Sequence, residues 1–195
     1  MTKPGPSETR DVILRHAEAL IRSRGYAGFS YADLSALVKI TKASIHYHFP
    51  TKEHLVLATL QVYRGRYTDA FDQICREHPN ALDRIEAYGR IYLNGHDQGA
   101  GCLCAALAVE RDLLSPGLRT AMACFFQDHL DWLQIVYGEG VKNGQVSSGC
   151  NPVTAAQVVV SALEGALLVA RALDQRDGME LVLATLRKMY CPISS

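Results

Sequence analysis

The sequence predicts an all-α protein in two parts: an N-terminal three-helix helix-turn-helix unit over residues 1–55 and a larger helical unit over 56–195. Three observations predict it. Residues 30–52, SYADLSALVKITKASIHYHFPTK, read as two short helices joined by a tight turn, with the start of a third at once behind them. Beyond residue 55, apolar residues recur at helical spacing in nearly every segment, and no segment alternates with the period of a strand.

The elements follow in order. Ser7 is placed to cap a first helix, with Glu8 and Asp11 in its first turn; Ile13, Ala17, Leu20 and Ile21 share one buried face, and Gly25 is a stop. Ser30-x-x-Asp33 has capping-box form and opens a helix over about 31–38, with Leu34, Leu37 and Val38 facing inward. A turn at 39–41 leads to a helix over about 42–48, pinned by Ile45 and Phe49. Pro50-Thr51 breaks the chain, and Thr51 caps a long helix to about His78, with Leu55, Ala58 and Val62 as its inward stripe and Pro79 as its end. Further helices are expected over about 81–96, from Cys102, from Ser115-Pro116 to Gly144, and from Asn151-Pro152. The last of these carries Val158, Val159, Val160, Leu163, Leu167, Leu168 and Val169 on every side, and such a helix needs cover on every side. With about 179–190 it is expected to form a homodimer surface through about 151–190; the competing reading is a core helix of the single chain.

Composition narrows the class. Of 195 residues, 48% are apolar, so a large core is affordable. No uninterrupted apolar run reaches the roughly 18–20 residues that span a bilayer, and the polar start MTKPGPS does not read as a signal peptide. A cytoplasmic protein with no membrane partner is expected. Six cysteines, at 75, 102, 104, 124, 150 and 191, do not space as a disulfide framework and are expected as free thiols. The net charge of zero averages unlike halves: residues 1–66 carry ten Lys/Arg against five Asp/Glu, and residues 67–195 carry ten against fifteen. The N-terminal part therefore offers phosphate a basic face.

In a helix-turn-helix, the second helix enters the major groove with its N-terminal residues on base edges. Here these are Thr41, Lys42, Ala43 and Ser44. Lys42 donates to guanine or phosphate, Ala43 meets a thymine methyl, and Ser44 bonds either kind of edge. Tyr47 and His48, later in the helix, suit the DNA backbone. Lys52, at the start of the next helix, and Tyr31, at the start of the second, are further phosphate candidates.

Taken together, Gly25-Tyr26-Ala-Gly28-Phe29-Ser30, Asp33-Leu34, Ile40-Thr41-Lys42 and His48-Phe49-Pro50-Thr51-Lys52-Glu53-His54-Leu55 resemble the TetR family of bacterial transcriptional regulators. Two positions depart from the family pattern. Lys39 stands where the turn usually has glycine, so a non-glycine residue is expected in a left-handed conformation. His46 stands where a tyrosine is usual, with Tyr47 one place on. The resemblance implies a ligand-binding and dimerisation domain after the reader. It also implies a homodimer on an inverted-repeat DNA operator, usually as a repressor, and an unidentified small-molecule inducer that shifts the population toward a form with poorer DNA affinity.

Gly101-Cys-Leu, Leu107-Ala-x-Glu110 and Ser115-Pro-x-Leu-Arg119 look like a branch of the family that includes reactive-electrophile sensors. Cys102 and Cys104 fall at an expected helix start, which favours thiolate; the competing reading makes them small buried residues. Tyr92, His96, Phe126, His129 and Trp132 join Cys102 as candidate ligand-binding residues. No metal or other cofactor is expected: Cys102-x-Cys104 has no second pair at zinc spacing, and the side chains of His46 and His48 diverge on a helix. The alternative function is a helical small-molecule-binding protein or an enzyme without specific DNA binding. Against an enzyme stands the lack of a nucleophile elbow, phosphate loop, paired-histidine metal motif or dinucleotide fingerprint.

Overall fold

The computed structural model describes residues 6–97, 101–175 and 177–192. Among these residues every regular element is helical: α1 (Pro6–Arg24), α2 (Tyr31–Val38), α3 (Lys42–His48), α4 (Lys52–Glu77), α5 (Ala81–Asp97), α6 (Leu103–Ala108), a 3-10 turn at Arg111–Leu113, α7 (Pro116–Lys142), α8 (Pro152–Leu173) and α9 (Asp177–Tyr190). Helix α1 already includes Pro6 and Ser7, so Ser7 is a helical residue rather than the expected cap.

The chain forms two compact units, residues 1–65 with 103–124, and residues 66–102 with 125–195. This division differs from a cut at 55/56. Helix α4 continues as one helix well past residue 55, and α6 with the first turns of α7 returns to the N-terminal unit. The reason is packing: Leu103, Leu107, Leu114 and Leu118 are fully buried there, and α6 lies against α1.

In the first unit the core is Ile13, Ala17, Ile21, Leu34, Ile45, Leu55 and Val56, all inaccessible to solvent. Two expected core positions fail. Leu37 is 49% exposed, because on the two-turn α2 only Leu34 is fully buried. Val62 is 42% exposed, since the buried face of α4 runs through Leu55, Val56, Thr59, Leu60 and Tyr63. Of the two hydroxyl residues on that face, Thr59 donates to the Leu55 carbonyl one turn back at 2.8 Å, and the Tyr63 hydroxyl accepts from the Leu103 amide at 3.5 Å.

In the second unit α5, α8 and α9 pack together. Arg187 of α9 fixes the pairing by donating to Asp83 of α5 at 3.0 Å and to Glu86. Gly144, at φ +66°, turns the chain after α7, and Ser147 then donates to the Tyr190 carbonyl while Tyr137 donates to the Ser147 carbonyl. Helix α8 begins as expected, with Asn151 accepting from the Thr154 amide ahead of Pro152. By length and composition this helix alone, among the described residues, would reach across a membrane. One face of it, Ala155, Ala156, Val159, Val160, Leu163, Ala166, Leu167 and Ala170, is buried against the rest of its unit.

Candidate DNA-reading surface and buried polar cluster

The reading head is built by short-range chemistry. Ser30 accepts from the amides of Ala32 and Asp33 at 3.2 and 3.4 Å, and Asp33 accepts from the Ser30 amide at 2.8 Å. These two residues form the expected capping box and start α2. The bonds donated by Ser30, together with nearby Arg24, hold the Asp33 carboxyl below its ordinary value. Lys39 ends α2 at φ 58°, ψ 39°, the left-handed conformation expected of it. Thr41 then caps α3 by accepting from the Ser44 amide at 3.1 Å.

This geometry leaves Thr41, Lys42, Ala43 and Tyr47 exposed on α3, Tyr47 to 81%, while Ile45 and Phe49 anchor the helix from below. Ser44 and His48 are half-buried. Tyr31 and Lys52 are differently placed. The Tyr31 hydroxyl donates to the Phe49 carbonyl at 2.8 Å, and burial pushes its pKa up to about 12. The Lys52 ammonium donates to the Phe29 carbonyl at 2.5 Å and lies 4.2 and 4.7 Å from the ring centres of Phe29 and Tyr26. Burial pulls its pKa down, countered by the carboxylates of Glu110 and Asp33. Both side chains thus hold the head together before any DNA is present. The lysine keeps further N–H donors; the tyrosine has no second proton to give. His46 takes part in the same support: its ring lies 4.6 Å from that of Tyr31, and Nδ1 is 3.2 Å from the Pro50 carbonyl. Sequence reasoning marked His46 only as a departure.

A second feature braces the head. Gly25, at φ +75°, leaves room for the carboxylate of Glu110: a Cβ there would stand 2.3 Å from Oε1. Glu110 accepts from the Ala27 amide at 2.9 Å, and Ser115 donates to Glu53 of α4 at 2.5 Å. The segment 103–115 is therefore tied to the reader at both its turn and its exit helix.

In the second unit the structure brings five of the six candidate ligand residues, Tyr92, Cys102, Phe126, His129 and Trp132, into or beside one cluster. His129 is 1% exposed, with Tyr67, Phe71, Tyr88 and Phe125 around it at ring separations of 4.1–5.6 Å. Trp132 stacks on Phe71 at 4.8 Å, and Phe126 touches Phe125 edge-on. His129 Nδ1 meets the Tyr88 hydroxyl at 2.7 Å, and that hydroxyl meets Tyr92 at 3.1 Å. Burial pushes His129 down to about 3, so the ring is neutral at physiological pH, and holds Tyr88 and Tyr92 well above the ordinary tyrosine value. Burial pushes the pKa of Glu164 on α8 up, against the pull of the neighbouring Cys102 thiol and Tyr92 hydroxyl. His96 lies in α5, but its side chain falls outside the described residues.

Cys102 is buried and precedes α6, which has only six residues, and Cys104 inside that helix is fully inaccessible. Among the described residues no cluster has the ligands to hold a metal. Tyr67, Phe71 and Glu164 escaped the sequence reading. Tyr67 and Phe71 carried a signal in their i, i+4 spacing on α4, and Glu164 is the one charged residue of α8 before Arg171.

An exposed recognition helix on a braced three-helix head, joined to a helical unit with a buried polar cluster, defines a one-component DNA-binding regulator. Residues 13–59 match the bacterial regulatory proteins of the tetR family, and residues 81–186 match the tetracyclin repressor-like C-terminal domain. The chain belongs to the TetR family of transcriptional regulators. It is similar to the transcriptional repressor NemR of Escherichia coli K12, with 27% identity over 97% of each chain. It resembles DhaR, a transcriptional repressor of Mycobacterium sp. GP1, at 23% identity over 94% of this chain and 92% of that one. A TetR-family regulator from Agrobacterium tumefaciens superposes with a TM-score of 0.92 at 28% identity over 96% of this chain and all of the other.

Proposed function

We propose that this regulator is a cytoplasmic repressor that binds an inverted-repeat operator as a homodimer and is released by a small molecule or a thiol-reactive compound. The observation that carries the reading is the presentation of Thr41, Lys42, Ala43 and Tyr47 on the outer face of an α3 that is capped and anchored on its inner face. Lys42, Ala43 and Ser44 are the base-reading residues; Thr41, Tyr47 and His48 hold the backbone. Lys52 contributes to phosphate binding with the protons its Phe29 bond leaves free, and Tyr31 shapes the head rather than donating to DNA.

The second copy docks on the outer face of α8 and α9. Val158, Leu168, Val169 and Leu173 lie on one arc of α8 and are 37–69% exposed, as are Leu181 and Met189 on α9 at 68% and 57%. Ser161 and Gly165 lie on the same arc, and Gly165 opens on free space, so helices can approach closely there. Small molecules act at the buried cluster around His129, and Cys102 is the candidate thiol. In support of a thiol that changes state, the similar NemR has been crystallised in a reduced form, with a TM-score of 0.84 to this chain.

A gel shift on duplexes selected from a random pool tests the reading. Retention is expected to be specific and to weaken steeply with salt. Lys42→Ala is expected to change sequence preference, and Lys52→Ala to weaken all sequences alike. Retention of every duplex alike would count against it.

A further inference from the structure

His46 stands exposed on α3, yet two contacts hold its ring. Nδ1 lies 3.2 Å from the Pro50 carbonyl, and the ring centre lies 4.6 Å from that of Tyr31, tilted by 56°. Tyr31 is itself tied down, its hydroxyl donating to the Phe49 carbonyl at 2.8 Å. A carbonyl oxygen only accepts, so Nδ1 carries the proton of the Pro50 bond. In a neutral imidazole one nitrogen donates and the other accepts. Nε2, at the tip of the ring, is therefore left with its lone pair, and no hydrogen bond from a described residue reaches it. Lys42 and His46 are four residues apart on α3, so they share one face, one turn apart.

We propose that His46 is a base-reading residue that selects an amino base, adenine or cytosine, through the lone pair on Nε2. In the major groove adenine offers its N6 amino group and cytosine its N4 amino group, whereas guanine and thymine present acceptors there. A fixed acceptor bonds to the first two and meets the others lone pair against lone pair. The same lone pair turns away a phosphate oxygen, which needs a donor. Lys42 is a donor only. One face of α3 thus presents a donor at its first residue and an acceptor one turn later. The rise between them is about 6 Å, so the two side chains address base pairs about two steps apart. Tyr31 and Pro50 hold the ring before DNA arrives, so little side-chain freedom is lost on binding. This inference rests on the proposed reading of DNA by α3 and adds the class of base that one position selects.

The test uses the full-length protein and a duplex that it selects from a random pool. With 15N-histidine labelling in mildly alkaline buffer, long-range 1H–15N correlation is expected to show His46 as a neutral ring, protonated at Nδ1 and bare at Nε2. Each adenine and cytosine of the selected site is then replaced in turn by purine or 2-pyrimidinone, which removes only the amino group. At one position this is expected to weaken wild-type binding about three- to tenfold, the worth of one hydrogen bond. His46→Asn keeps a donor where Nδ1 stands and has nothing at Nε2. It is expected to fold and to bind the duplexes with and without that amino group alike. His46→Phe, which keeps a ring against Tyr31, is expected to do the same and decides the matter if asparagine impairs folding. A ring that is charged or protonated at Nε2 in that buffer overturns the proposal. So does a site with no position sensitive to the amino group, or a sensitivity that persists in the folded variants. Failure of the underlying reading by α3 would look different: no duplex is enriched from the pool.

Discussion

Lys39 holds the turn of the reader in a conformation that costs an L-residue about 1–2 kcal/mol. Lys39→Gly removes that strain but adds glycine's unfolded-state entropy. The expected net is a gain of about 0.5–1 kcal/mol in thermal or urea unfolding, with operator affinity lower at low salt because a cation near DNA is gone. A lysine retained against that gain would mark the charge as the reason for it. His129 gives a second residue-scale prediction. Its pKa is lowered from 6.5 to about 3. As pH falls below 6.5 the unfolded chain takes the proton and the native chain does not, so stability is lost progressively down to about pH 3, at up to about 1.4 kcal/mol per pH unit. Glu164, raised by burial, acts in the opposite sense, because there the native state takes its proton first. Asp33, lowered, matters only as pH falls below its ordinary 3.8. Comparing urea midpoints of wild type and His129→Phe between pH 6.5 and 5 isolates the histidine. Wild type is expected to lose about 2 kcal/mol more than the variant over that window, and parallel curves would contradict it.

At the scale of elements, the reader was legible because its signals are local. The Ser30–Asp33 box, the Thr41 cap and the Lys39 turn each act within a few residues, and α2 and α3 begin and end where the sequence placed them. The inward stripe of α4 was misread because Ala58 and Val62 are helical neighbours of Leu55, yet the partners of that helix come from distant segments and select Val56, Thr59, Leu60 and Tyr63 instead. The buried cluster was only partly legible for the same reason: Tyr67 and Phe71 arrive from α4, His129 from α7 and Glu164 from α8, and no spacing along the chain announces that meeting. The brace from Glu110 was likewise invisible, being 83 residues from the Ala27 amide it accepts. It carries its own prediction. Gly25→Ala meets both the positive φ and the Glu110 carboxylate, and is expected to destabilise the protein by more than about 1 kcal/mol. Glu110→Ala alone is expected to cost about 0.5–1.5 kcal/mol for an exposed bond. In the double variant the steric part of the loss disappears, so the two changes cost less together than separately in a double-mutant cycle. Strict additivity would show that the carboxylate does not fill the space beneath Gly25.

For the whole molecule, the proposed docking of a second copy on the apolar arc of α8 and α9 makes its own prediction. Leu168→Asp with Val169→Asp leaves the buried face of α8 untouched and charges the exposed one. The variant is expected to run as a monomer in light scattering, to keep its helical circular dichroism, and to bind a single half-site weakly while losing the full operator, since two heads must engage together. A regulator of this build works by differential affinity: an occupant of the second unit releases DNA only as far as it prefers the form that binds DNA poorly. In the proposed dimer, α3 reads sequence. The most direct measurement is a fluorescence-anisotropy titration of wild type and Lys42→Ala against a selected inverted-repeat duplex and a scrambled one, repeated across salt. The expected result is one dimer per duplex, a strong wild-type preference that Lys42→Ala reduces, and a linear fall of log affinity with log salt. Equal affinity for both duplexes, or a Lys42→Ala variant that keeps the full preference, would contradict it.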